Sequence, residues 1–104
     1  MVRGTTPTER FFAPEETPVT DYDEAIVTYM QNGKTILEKS LGDENLEISI
    51  VDNCFYFTMT QSESLAFTAG DDAEVQLKYK MDSGVWATEI WYMSVGRILN
   101  TEVI

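Results

Sequence analysis

The stretch from Asp72 to Gly96 constrains this chain most. Its first arm, AEVQLKYKM, places Val75, Leu77 and Tyr79 on one parity and Glu74, Gln76, Lys78 and Lys80 on the other. Strict alternation of this length is the pattern of a half-buried antiparallel strand. Asp82-Ser83-Gly84 then supplies a tight reversal, because glycine tolerates the positive φ that such turns use. The returning arm, VWATEIWYMSV, carries Trp86, Ile90, Trp91, Tyr92 and Val95. A long hairpin with one apolar face needs a second layer to cover it.

The rest of the chain supplies short strands. ERFFA (Glu9–Ala13) reads as a strand bounded by Pro14 and Pro18. AIVTYMQ (Ala25–Gln31) and KTILEKS (Lys34–Ser40) flank Asn32-Gly33, the strongest short hairpin signal. LEISIV (Leu46–Val51) and CFYFTMT (Cys54–Thr60) form a second hairpin pair across Asp52-Asn53. Thr60-Gln61-Ser62-Glu63 matches a capping box and predicts one short helical turn near 61–65, with Leu65 and Phe67 folding back as a plug. About seven strands with turn signals between them predict an all-β, antiparallel two-sheet sandwich, immunoglobulin-like. At 104 residues this is one sandwich domain over 9–104, preceded by an extended arm over 1–8. The arm, MVRGTTPT, is small and polar, and Pro7 holds Thr6 extended. It lies along another subunit or along the sheet edge.

The last strand breaks the alternation. Trp86, Thr88 and Ile90 share one parity and Met93 and Val95 the other, yet both sets look core-facing. A β-bulge near Trp91–Tyr92 would reset the phase; a strand covered on both faces is the alternative. Phe55, Phe57, Val75, Leu77, Tyr79 and Ile90 are the expected core.

The chain has no histidine, which removes Ser-His-Asp and Cys-His nucleophilic sites and the usual zinc ligands. Cys54, the only cysteine, allows no intrachain disulfide, and its neighbours Asp52 and Asn53 are not the basic setting of a reactive thiol. The acidic groups Glu15-Glu16, Asp21-x-Asp23-Glu24, Asp43-Glu44 and Asp71-Asp72 read as solvated loops. Asp21-x-Asp23 lacks the glycine and distal glutamate of a dedicated calcium loop. No catalytic residue, metal or cofactor is expected. A net charge of −11 disfavours nucleic acid and anionic membranes as partners, and no apolar run approaches a membrane span.

The aromatic residues are in surplus. Trp86, Trp91, Tyr92, Tyr56 and Tyr29 cannot all point inward from alternating strands. They either crowd a core with its rims, mark a protein interface, or form a carbohydrate platform. Arg3, Thr5, Thr6 and Pro7 of the arm and Trp86, Trp91 and Tyr92 of the last strand are the interface candidates.

The segments MVRGTTPT, VTYMQNGK, FTMTQSESLAF, EVQLKY, DSGVWATEI and SVGRILNTEV, which span most of the chain, resemble a family of small proteins encoded in prophages of Gram-positive bacteria. Its members open with an RGTTPT segment and close with SVGRxLxxEV. Ser62-Glu63 departs mildly from a position where a glutamate and an acidic or polar residue are usual. The resemblance implies a protein from the tail or baseplate gene region of siphophage-like genomes. It implies a non-enzymatic structural or accessory role through contacts with other tail or baseplate proteins or with itself, in the bacterial cytoplasm during assembly and then in the virion. The alternative function is a carbohydrate-binding module using a surface tryptophan platform.

Overall fold

The computed structural model describes residues 1–42, 45–82 and 84–104. The Asp43-Glu44 cluster and Ser83 of the Asp82-Ser83-Gly84 turn therefore lie outside the described residues. The fold is an all-β sandwich of two antiparallel sheets. One sheet has three strands, β1 (Thr8–Phe12), β5 (Cys54–Thr58) and β4 (Glu47–Ser49), in the order β1-β5-β4. The other runs β3-β2-β6-β7, from β2 (Glu24–Gln31), β3 (Lys34–Ser40), β6 (Ala73–Met81) and β7 (Gly84–Ala87). A further segment, β8 (Trp91–Met93), also pairs with β6.

This order is that of the immunoglobulin sandwich without its first strand. There, the second, fifth and fourth strands form one sheet and the third, sixth and seventh the other. Here β1 takes the second strand's place, β5 and β4 complete its sheet, and β2, β6 and β7–β8 form the opposite one, with β3 added at the edge.

Local chemistry explains the elements. Asn32 and Gly33 have φ of 52° and 78°, the pair of positive values that a two-residue hairpin with the right twist requires, and Gln31 faces Lys34 across it. The helix α1 (Gln61–Leu65) starts with a complete capping box. The Glu63 amide donates to Thr60 Oγ1 (3.1 Å) and the Thr60 amide donates to Glu63 Oε1 (2.9 Å). Alternation then decides burial. Ala25, Val27 and Tyr29 of β2 and Ala73, Val75 and Leu77 of β6 meet Phe11, Phe55, Phe57 and Met59 in a dry core plugged by Phe67.

The last strand is broken. β7 pairs with β6 from Lys78↔Ala87 to Met81↔Gly84, whereas β8 pairs from Ala73↔Met93 to Val75↔Trp91. The register slips by one residue between them, as a β-bulge does. The break lies at Thr88–Ile90, just before the predicted position. The Thr88 side chain explains it: the Leu77 amide donates to Thr88 Oγ1 (3.1 Å) while the Thr88 amide donates to the Leu77 carbonyl (2.9 Å). A hydroxyl thus takes the place of a ladder carbonyl. The slip turns Ile90 outward. It is 48% exposed, which corrects its expected place in the core. Tyr79, at the end of the inner row, is only partly buried.

The N-terminal arm packs back on its own domain. Val2 bridges Gly96 in parallel, with the Arg3 amide donating to the Gly96 carbonyl (3.0 Å) and the Gly96 amide to the Met1 carbonyl (2.6 Å). Ser64 Oγ donates to the Thr5 carbonyl (2.7 Å), and the Met59 amide donates to the Pro7 carbonyl (2.9 Å). Apart from the Ser64 hydroxyl these are contacts between main-chain atoms, so a largely polar segment makes them, and Met1 adds apolar packing against the core.

Candidate functional site

Three strands cannot cover a sheet four strands wide. The uncovered part is the inner face of β7 and β8, between their outer edge and that of β1. Cross-strand register places Trp86 opposite Tyr79 and Trp91 opposite Val75, so both tryptophans project inward with the core rows. Yet they are 50% and 38% exposed. They line a groove of two contiguous cavities, about 420 Å³ and about 410 Å³, that meet at Phe11, Phe12, Leu77 and Thr88.

Each tryptophan is held. Trp86 stacks on Tyr79 with ring centroids 6.2 Å apart, and its ring folds back over Gly84, where any Cβ would overlap it. Tyr79 in turn meets Tyr22 edge-on (5.2 Å). Trp91 tilts against Phe11 at 5.9 Å, and Phe11 stacks on Phe57 (6.4 Å). The far wall of the Trp86 cavity includes Ala13, Pro14 and Thr17. That loop is pinned by Asn53, whose Oδ1 accepts from the Val19 amide (2.8 Å) and whose Nδ2 donates to the Pro14 carbonyl (3.2 Å). Exposed aromatic surface on rigid supports is the composition of a binding hot spot.

The seven candidates from sequence separate. Trp86 and Trp91 share the groove, and Tyr92, paired with Glu74, projects to the outer face of its sheet but borders the Trp91 cavity. Their partners Val75 and Tyr79 are four positions apart on β6, so the two tryptophans stand roughly 13 Å apart along the strand, as two footholds and not one flat platform. Arg3, Thr5, Thr6 and Pro7 are elsewhere. Arg3 donates through Nη2 to the Leu65 carbonyl (2.9 Å), and Thr5 Oγ1 donates to the Val2 carbonyl (2.6 Å). Sequence reasoning missed Phe12, exposed at the shared rim, and the Tyr79–Tyr22 support. The adjacent Phe11-Phe12 pair was the available signal, since one ring of such a pair must face away from the core.

Titratable groups in the groove are few. Glu9 is the one carboxylate among the residues lining it, and its Oε1 accepts from the Tyr29 hydroxyl at 3.4 Å. Burial, then the Glu9 charge and that hydrogen bond, push the Tyr29 phenol far above its ordinary range. It is a fixed donor, not a titrating group. Glycosidase chemistry needs two facing carboxylates. Burial and Asp52 raise the Cys54 thiol, with Arg10 opposing, so its thiolate is disfavoured. The acidic clusters at 15–16, 21–24 and 71–72 are exposed, and among the described residues no three His, Cys, Asp or Glu side chains converge to hold a metal ion. No helix among them is long and apolar enough to cross a membrane. Compared with models of known families, with curated proteins and with solved structures, the chain finds no match in any of the three.

Proposed function

We propose that this chain is a non-enzymatic structural or accessory module of a phage or prophage tail or baseplate, acting through protein–protein contacts, with the groove between β1 and β7–β8 as its docking face. The observation that carries the reading is the exposure of Trp86 and Trp91 on an inner face. Inward-pointing tryptophans cost solvation unless something covers them, and exposed apolar patches of this kind mark interaction surfaces. The sequence resemblance to small prophage proteins supports the assembly context. The charge of −11 supports free copies that stay apart before they dock.

The test is complementation of a prophage lacking this gene with wild-type protein or with Trp86→Ser/Trp91→Ser. The variant is expected to fold, since both side chains are half exposed, and to be missing from purified particles. Full incorporation of the variant would refute the docking face. One observation favours the carbohydrate-binding reading as second choice: the Trp86 ring is backed by Tyr79 and neighbours the hydroxyl-bearing Thr17 and Thr88 of the same cavity. Saturable quenching of tryptophan fluorescence by cell-wall oligosaccharides, lost in the same variant, would establish it instead.

A further inference from the structure

An antiparallel sheet with one face on the core and one in water alternates apolar and polar residues, so its outer face should be polar. β6 obeys, with Glu74, Gln76, Lys78 and Lys80 outward. Its neighbours do not. Cross-strand register puts Ile26 and Met30 of β2 beside Lys78 and Glu74 on that outer face. It puts Val85 and Ala87 of β7 beside Lys80 and Lys78, and Tyr92 of β8 beside Glu74. Ile90, turned outward by the register slip, joins them. Tyr92 is 65% exposed, and Val85, Ala87 and Ile90 are exposed too. This face lies on the opposite side of the sheet from the tryptophan groove.

We propose that a second copy of the chain closes this outer face, packed sheet on sheet about a two-fold axis that runs across the strands. Such a contact uses the same patch on both copies, so the patch must complement itself. Its area is sufficient. Four strands span roughly 19 Å and the eight residues of β2 roughly 26 Å. The footprint is therefore about 500 Å² per copy and about 1,000 Å² for the pair, the size at which specific interfaces begin. Its relief is complementary as well. A depression of about 240 Å³ lies at the Lys80 end, lined by Ile26 and Val85, and one of about 60 Å³ at the Glu74 end, lined by Met30 and Ile90. The axis exchanges the two ends. Tyr92, beside Glu74, is thereby carried to the larger depression of the other copy, at Val85.

The charges of the face select this axis. Register places Lys78 and Lys80 at one end with Glu24, and Glu38 and Glu74 at the other. Exchanging the ends lays Lys80 of each copy over Glu74 of the other. An axis along the strands would instead lay Ile90 on Glu38 and Lys78 on Ile26, which desolvates charge against apolar groups. Exposed ion pairs set orientation more than strength, so the affinity comes from Tyr92, Val85 and Ile90. The charge of −11 on each copy opposes the contact in dilute solution. The face closes where copies are concentrated, as when an assembly holds them at an effective concentration on the order of millimolar.

The test is sedimentation equilibrium of the intact protein at physiological salt, over a series reaching about 1 mM. A monomer–dimer equilibrium is expected. Tyr92→Asp changes an exposed side chain, so the monomer should fold, and the dissociation constant should rise at least about tenfold. Lys80→Glu and Glu74→Lys should each weaken the dimer, because each acts at two contacts. An equimolar mixture of those two variants should recover dimers, since every contact in the mixed pair again joins opposite charges. Arg97→Glu mixed with Glu15→Lys carries the same changes in net charge on exposed residues away from the face. Recovery no greater than in that control mixture would refute the pairing of Lys80 with Glu74. A monomer throughout the series, or a dimer indifferent to Tyr92→Asp, would overturn the proposal. So would loss of the dimer in Trp86→Ser/Trp91→Ser, which would move the contact to the groove. Circular dichroism of each variant separates loss of contact from loss of fold. The groove's role in docking is tested separately, by particle incorporation.

Discussion

Phe57→Ala is the sharpest test of the core. The side chain is 2% exposed on the inner face of β5. It stacks on Phe11 at 6.4 Å with 9° between ring planes, takes Tyr29 edge-on at 6.0 Å, and has Lys39 Nζ 5.7 Å above its centroid. Truncating a buried phenylalanine to alanine costs about 3–5 kcal/mol in transfer and cavity terms. Two aromatic pairs, each contributing about 0.5–1.5 kcal/mol beyond buried area, place this site in the upper half of that range. A domain of this size has about 5–15 kcal/mol in total. The loss should therefore lower the melting temperature by roughly 16–40 °C, at about 4–8 °C per kcal/mol. Urea unfolding followed by circular dichroism, with an unchanged m-value, measures the change directly. Ile90→Ala serves as the control, because an outward, half-exposed residue should cost under about 1 kcal/mol. A Phe57→Ala cost below about 1.5 kcal/mol, or an Ile90→Ala cost that matches it, would refute the strand phase.

Two further outcomes follow from single contacts. Thr88→Val keeps the shape of the side chain but leaves the Leu77 amide without its acceptor, so it should cost about 1–3 kcal/mol in the same urea assay. Glu63→Gln tests the pH dependence. Partial burial raises the Glu63 carboxyl, but the Lys39 ammonium at 2.6 Å and the Thr60 amide together hold it below its ordinary 4.5. A lowered folded-state value means the stabilisation is present above 4.5 and fades as pH falls through the folded value. The stability gap between wild type and Glu63→Gln should accordingly be largest near neutrality and close in acid, as melting temperatures across that range would show.

Where one residue or a short pattern dictates backbone conformation, the fold was legible in the sequence. Asn32-Gly33 specified its hairpin because both positions need positive φ. Thr60-x-x-Glu63 specified the start of α1 because the two side chains satisfy each other's backbone amides. The alternation of Val75 and Leu77 specified which face of β6 is dry. What stayed illegible depends on contacts between distant main-chain atoms. The arm docks on its own domain through the carbonyls of Met1 and Pro7, which accept from the Gly96 and Met59 amides, and of Thr5, which accepts from the Ser64 hydroxyl of α1, and no apolar pattern encodes that choice. The position of the bulge was misplaced for a related reason. The sequence shows that the phase must change between Trp86 and Val95, but only the contact between Thr88 and Leu77 says where.

That contact also accounts for the surplus of aromatic surface. Trp86 and Trp91 are five residues apart, an odd interval that would send them to opposite faces of an unbroken strand. The one-residue slip at Thr88–Ile90 brings them to the same face, and it moves Ile90 to the outside in exchange. Had the two sheets been equally wide, both rings would be ordinary core. The three-stranded sheet ends at β1, so the rings are positioned as core residues without a facing strand. Gly84 extends the same logic, because its missing side chain is what lets the Trp86 ring lie back against Tyr79. Bulge, narrow sheet and glycine act on one place, and together they turn an inner face into a surface.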